Sequence, residues 1–548
     1  MRLSDQQLLR RELWERAAIT LPRFDRAAMI KATEEAPRWV HFGAGNVFRA
    51  LPAVLAQTLL EEGLAQTGII AVEGYDEEII DKSFVPFDNL SLLVTLKADG
   101  TTGRQVIASI ARSFRMSAGM DELKEIFAAP SLQMATFTIT EKGYSLTDRD
   151  GLLFTAIEED IYAGPAKARS FLGCVAALCH ERYTRGAHPL ALVSMDNCSH
   201  NGDRLFTAVE AFAKGWAAKG KAEKGFLDYV RDRQRLSFPW TMIDKITPQP
   251  DEGVKIVLTV AGMEDIEGVI TAKNTYVAPF VNAEETQYLV IEDFFPNSRP
   301  PLERAGVLFT DRDTVDKVER MKVCTCLNPL HTALAVFGCL LGYTRISDEM
   351  KNPDLVKLVE GVGYEEGLPV VTDPGIINPR EFIDMVIKTR LPNPFLPDTP
   401  QRIATDTSQK VPVRFGETIK AYLAAGLSVE RLTFIPLVLA AWLRYLLGID
   451  DKGVPFEVSP DPLYSSLASV LGGIRLGHKG PFHAALEPIL SDSKIFAVNL
   501  YEAGLGERIE LYFKEMLAGP GAVEAVLWRY TGKPARADKP DADAGAPS

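Results

Sequence analysis

A chain of 548 residues, 46% hydrophobic and 24% charged, has the composition of a soluble globular protein and is too long for one ordinary core. Its 60 basic and 73 acidic residues leave a formal charge of −13 with no basic run, which argues against nucleic acid or an anionic membrane as the main partner. The start "MRLSDQQLLRRELWER" lacks the apolar core of a signal peptide, and the longest apolar run, 434–449, is broken by Arg444 and too short to span a bilayer, so a cytosolic location is expected.

Residues 1–36 read as a helical lead-in. From 38 to 76 an apolar run, a glycine turn, an amphipathic helix and a second apolar run ending in acids make a β-α-β unit, the entry to a parallel sheet. Further strands are expected at 90–96, 132–140 and 188–197, with helix-like segments such as 165–185 between them, so the first half is α/β. The Pro- and Gly-containing stretch 294–306 marks a linker, dividing a Rossmann-type domain at 37–303 from a mostly helical domain at 304–530. The second domain carries long apolar-periodic segments at 330–342, 376–390, 415–425, 428–448 and 502–518. Residues 531–548 lack apolar anchors and are expected to be disordered.

In "HFGAGN", Gly43 and Gly45 close a strand and open a helix, which lets a pyrophosphate approach backbone N–H groups at a helix N-terminus. The third glycine of G-x-G-x-x-G is replaced by Phe48, so a plain tight turn is the alternative. Glu73 and Asp76 stand 28 and 31 residues beyond Gly45, where an acid accepts hydrogen bonds from the adenosine ribose and repels a 2′-phosphate; the alternative is a solvated acidic loop. In "ERMKVCTCLNPLH" (319–331), polar groups stand among apolar ones, and Asn328-Pro329 reads as an N-cap and first-turn pair beginning a new helix. The six cysteines include no C-x-x-C pair and read as reduced thiols. His331, His200 and His41 are isolated, so no metal is expected.

These motifs carry a family resemblance. "HFGAGNVFRA", "TITEKGY" (138–144), "VSMDNCSHNGD" (193–203), "FPWTMIDKITP" (238–248), "YLVIED" (288–293), "ERMKVCTCLNPLH" and "RIATDTSQKVP" (402–412) occur in the order of the mannitol dehydrogenase family, which the chain resembles from about 38 to about 530. The resemblance implies Lys322 as catalytic base, Asn197 and Asn328 as donors to the reacting oxygen, and His331 as substrate positioner. It further implies Asp244, Arg402 and Lys410 on the substrate and Glu319 beside the base. Gly43, Gly45, Asn46, Arg49, Glu141 and Lys142 belong to the cofactor side.

Such chemistry needs a base for the hydroxyl proton, donors for the developing oxygen charge and an aligned nicotinamide, and no metal. The expected reaction is NAD-linked interconversion of a sugar-derived alcohol and its ketone. D-mannonate and D-fructuronate are the expected pair, and mannitol and fructose, or D-altronate and tagaturonate, the alternatives. Oligomeric state stays open. The sequence departs from the family in having five residues, rather than four, between Lys322 and Asn328, and proline rather than glycine after Asn328. One extra residue on an ideal helix turns Lys322 by about 100°, so a bulge or the break at Pro329 must absorb it.

Overall fold

The computed structural model describes residues 1–250 and 252–532; the tail expected to be disordered lies, from residue 533 on, outside the described residues. The chain forms two compact units, Met1–Glu319 together with Pro374–Ile376, and Arg320–Asp373 together with the chain from Ile377 on.

In the first unit, Trp39–Phe42, Ile69–Glu73, Ile110–Arg115, Met134–Phe137, Leu190–Ser194 and Leu236–Ser237 form an all-parallel six-stranded sheet. Numbered along the chain, these strands lie in the order 3-2-1-4-5-6, the dinucleotide-binding arrangement whose crevice opens beyond the first and fourth strands. Both faces are buried, which is why the strands read as apolar runs rather than as alternating patterns. Val40, Phe42, Ile70 and Val72 face one core, shared with helices Phe171–Thr184 and Asn201–Ala218. Trp39, Ile69, Ala71 and Met134 face the other, shared with helix Pro52–Glu61.

Among the described residues the first unit also holds an antiparallel pair, Val269–Ile270 with Tyr276–Val277, and two three-stranded sheets. Ser91–Leu96 pairs antiparallel with Thr102–Ile107 and parallel with Phe280–Glu284. Tyr288–Glu292 pairs antiparallel with Thr241–Asp244 and parallel with Leu308–Thr310. That last strand keeps the chain in the first unit beyond residue 303, and the division falls within helix Arg312–Met321. Three residues, "LFT", are too few to show a strand period.

The second unit is helical. Helix Asn328–Leu341 is apolar on nearly every side and packs against the fully buried helix Phe434–Tyr445, which in turn packs on Gly506–Met516. The continuous helical stretch Arg312–Leu341 is long and apolar enough to cross a membrane, but 78% of its apolar window is buried inside the protein, as befits a core helix. Among the described residues, four π-helical turns interrupt these helices, at Lys322–Cys326, Gly361–Gly367, Val386–Arg390 and Pro412–Gly416. A π turn holds one residue more than an α turn, and such turns recur at functional sites.

Candidate active site

The glycine turn leaves the first strand of the large sheet at the mouth of the crevice. Gly43 has φ +99°, and a Cβ there would lie 2.1 Å from the Thr138 carbonyl oxygen, so no other residue fits. Gly45, which precedes helix Asn46–Ala50, has nothing within 4 Å of where its Cβ would stand. Its open face lines a cavity of about 400 Å³ with Asn46, Arg49, Thr138 and Thr140. A bare backbone cradle beside a helix start suits a pyrophosphate. Phe48, in place of the third glycine, is buried and stacks on His41 at 4.2 Å. His41 is a structural residue: the Thr136 and Thr138 hydroxyls engage its ring, and burial pushes its pKa down to about 3, so it is neutral. Arg49 is buried and donates to the Asn46 side-chain oxygen at 2.8 Å and to the Ala278 carbonyl at 2.7 Å, holding the helix start in place.

The two acids beyond the second strand have different tasks. Glu73 accepts the Ala44 amide at one oxygen and the Gly74, Tyr75 and Asp76 amides at the other, tying the glycine turn to the end of the neighbouring strand. Both of its oxygens are therefore occupied by backbone. Asp76 accepts the Thr271 hydroxyl at 2.6 Å through one oxygen and lines a cavity of about 610 Å³ with Tyr75, Met116, Arg169 and Lys273. Asp76 rather than Glu73 has capacity left for a ribose.

Beyond the fourth strand, Thr140 adopts φ +66°, an unfavourable conformation for a β-branched residue. Asp196 holds it there, accepting the Ile139 and Thr140 amides at 2.9 Å each, and also the Tyr144 hydroxyl at 2.6 Å. Burial raises the Asp196 pKa above the ordinary carboxylate value, while those three donors pull it back down. Asn197 follows directly and is exposed in a cavity of about 310 Å³, which Thr140, Glu141, Asp244 and Lys245 also line. The structure thus brings Asn197 and Asp244 together. Glu141 pairs with Arg204 at 3.0 Å, Lys142 is exposed, and the Glu319 carboxylate is near enough to Cys198 to raise its thiol pKa.

In the second unit, Lys322 opens a π turn with only 3% of its surface exposed. The Leu327 amide donates to the Lys322 carbonyl, five residues back, at 3.1 Å. A π turn holds one residue more than an α turn, so it is a turn of the kind that can take up an extra residue between Lys322 and Asn328. Asn328 does not cap the helix as its neighbour Pro329 suggested. It is the first helical residue, and Leu327 takes the cap position because the π turn runs on directly to it. The Asn328 side-chain amide, half-exposed, makes no hydrogen bond among the described residues.

His331 lies one turn further on, with its side chain 17% exposed. Its Nε2 is 3.5 Å from Asp398 Oδ2, without a hydrogen bond. Burial pushes the imidazole down to about 4 despite Asp398, so it is neutral near pH 7. Arg402 pairs with Asp398, and the Lys410 ammonium donates to the carbonyls of Ile403 and Thr405. Burial, with Arg414 and Arg402 nearby, lowers Lys410 to about 8. Arg390 and Arg414, which the sequence did not single out, complete a cationic surround for His331. Among the described residues, no group of three or more His, Cys, Asp or Glu is placed to hold a metal.

Comparison with known proteins accords with this geometry. The family model for the mannitol dehydrogenase Rossmann domain matches residues 37–304, and that for the mannitol dehydrogenase C-terminal domain matches 314–512. The chain belongs to the mannitol dehydrogenase family. It is 52% identical over 539 residues to a D-mannonate oxidoreductase of Thermotoga maritima, covering 97% of this chain and 99% of that protein. A mannitol 2-dehydrogenase of Neosartorya fischeri is 30% identical, covering 88% and 90%. Among solved structures, a D-sorbitol dehydrogenase in substrate-free form aligns with TM-score 0.78 at 25% identity, covering 93% of this chain and 98% of that one. The Pseudomonas fluorescens mannitol 2-dehydrogenase ternary complex with NAD and D-mannitol aligns with TM-score 0.67 at 25% identity, covering 97% and 100%. This member of the mannitol dehydrogenase family is an oxidoreductase, with a Rossmann domain followed by a helical domain.

Proposed function

We propose that the enzyme interconverts D-mannonate and D-fructuronate with NAD in the cytosol, using Lys322 as general base. The observation that carries this reading is a lysine sequestered on a π turn in the same unit as three arginines, Arg390, Arg402 and Arg414, near His331, two of which, Arg402 and Arg414, are also near Lys410. A cation-rich site suits an acidic sugar better than a neutral polyol, and the D-mannonate oxidoreductase relative points the same way.

The cradle at Gly43 and Gly45 fits a dinucleotide, with Asn46 at the pyrophosphate and Asp76 at the adenosine ribose. Bound NAD supplies the hydride acceptor for the carbinol carbon. Lys322 takes the hydroxyl proton as general base. The Asn197 and Asn328 amides donate to the oxygen as it gains carbonyl character, and neutral His331 offers its unpaired Nε2 to a neighbouring hydroxyl. Asp244 orients a further hydroxyl. Glu319, three residues before the base, passes the proton on toward solvent. For sugar reduction the same proton path runs in reverse.

The test is NADH consumption by purified protein against D-fructuronate, tagaturonate and fructose. Fructuronate should have the highest kcat/KM. Faster reduction of fructose would favour the mannitol reading and overturn this one.

A further inference from the structure

We propose that Arg414 is the residue that recognises the substrate carboxylate, and so sets the preference for a sugar acid over a neutral sugar. This rests on the reading of the substrate as a sugar acid and names the group that would read its acidity.

The four cations of the second unit are not equivalent. Arg402 spends its guanidinium on Asp398 and has 62% of its side chain exposed. The Lys410 ammonium is held by two carbonyls of its own chain segment, and Arg390 is almost wholly buried. Arg414 is partly buried, and burial pushes its pKa down to about 10. Among the described residues its single hydrogen bond goes to a neutral acceptor, the Thr332 hydroxyl, at 2.5 Å, and no carboxylate pairs with it. A cation drawn out of water without a counter-charge is costly, and a bidentate carboxylate is the partner whose geometry matches a guanidinium.

The tether also aims this charge. Thr332 adjoins His331, and its hydroxyl in turn donates to the Asn328 carbonyl at 2.9 Å. Arg414 is thus fixed to the helical turn that carries the proposed oxygen donor and the proposed substrate positioner. Its charge is felt at the His331 imidazole and at Lys410. Arg414 itself sits in the π turn Pro412–Gly416.

The test compares kcat/KM for D-fructuronate and fructose, with NADH, in wild type, Arg414→Gln and Arg414→Lys. Loss of one charged hydrogen-bonding partner should lower the acid-to-neutral ratio in Arg414→Gln by about 10- to 100-fold, mainly through KM for the acid. Arg414→Lys, which keeps the charge without the fork, should lose less. NADH binding by fluorescence reports whether each variant is folded. If Arg414→Gln does not fold, Arg414→Lys decides alone, an unchanged ratio overturning the proposal. A fall in both activities by the same factor also overturns it, since Arg414 would then only brace the helix. A wild-type enzyme that reduces fructose as well as fructuronate would fail at the level of the substrate reading, before Arg414 is questioned.

Discussion

At the glycine turn of the first unit, space for a ligand is made by leaving side chains out; at the π turn of the second, a buried lysine stands at the head of a widened turn. The charges follow opposite habits as well. Glu73 spends both carboxylate oxygens on four backbone amides, and Arg49 is spent on Asn46 and Ala278. Around the π turn, the Asn328 amide and His331 Nε2 have no hydrogen-bond partner among the described residues, and Arg414 has no counter-ion there. The glycine turn presents backbone, as a site for a common cofactor can. The other region leaves polar groups without partners among the described residues, as a site for a particular substrate can.

The sharpest way to break that contrast is Lys322→Ala, which should lower turnover by about two to four orders of magnitude, the usual range for an acid-base group, while NADH binding persists. A chelator should leave wild-type turnover unchanged. Near-normal turnover in the variant, or inhibition by the chelator, would move the base elsewhere, His331 first.

On the cofactor side, kcat/KM should favour NAD over NADP because Asp76 repels a 2′-phosphate. Asp76→Ala should narrow the gap by roughly tenfold, about 1.4 kcal/mol, whereas Glu73→Gln should chiefly weaken the turn itself and lower thermal stability. Equal use of both cofactors by the wild type would remove Asp76 from this role.

If insertion is what the π turn accommodates, deleting Cys324 should restore an α-helical turn with Lys322 still on its face. Turnover should then stay within about tenfold of wild type, a loss under about 1.4 kcal/mol in barrier. A loss as deep as that of Lys322→Ala would mean that the wide turn itself, rather than its register, positions the base.

The smallest effect concerns pH. Lys410 carries its charge below about 8 and loses it above. Its attraction for an anion is therefore full at lower pH, and the fructuronate-to-fructose ratio of kcat/KM should fall a few-fold as pH rises through that value. In Lys410→Met the ratio should lie only a few-fold below that of wild type at the lower pH, with Arg414 still reading the carboxylate, and should not change as pH rises. A wild-type ratio that does not change between pH 7 and 9 would place the substrate carboxylate away from Lys410.

Much of this architecture is legible in the amino-acid sequence. The parallel sheet shows itself because strands buried on both faces become apolar runs, and the glycine turn because at Gly43 glycine alone tolerates such close approach. The short strands Leu236–Ser237 and Leu308–Thr310 fall below the length at which a period can be seen. The π turn is legible only as a counting problem between Lys322 and Asn328. Over five residues, apolar spacing does not distinguish a wide turn from an α turn. Arg414 is invisible in the sequence for a different reason. An arginine four positions after a lysine reads as a solvated face, and only the tertiary fold places it against Thr332. Asp196, adjacent to Asn197 in "VSMDNCSHNGD", is within reach, but its bonds to Ile139 and Thr140 span 57 and 56 residues, and sequence does not announce them.

That aspartate has a consequence for motion. Because one carboxylate holds the amides of Ile139 and Thr140 and directly precedes Asn197, the loops leaving the fourth and fifth strands are geared together. Motion of either loop by itself has to break a bond to this carboxylate. An excursion that swings Asn197 away also releases Thr140 from its left-handed conformation, and return requires both to be restored at once. Loosening at this corner is therefore a rare, concerted opening, closer to local unfolding than to breathing, and the two amides should report it by exchanging slowly and in step.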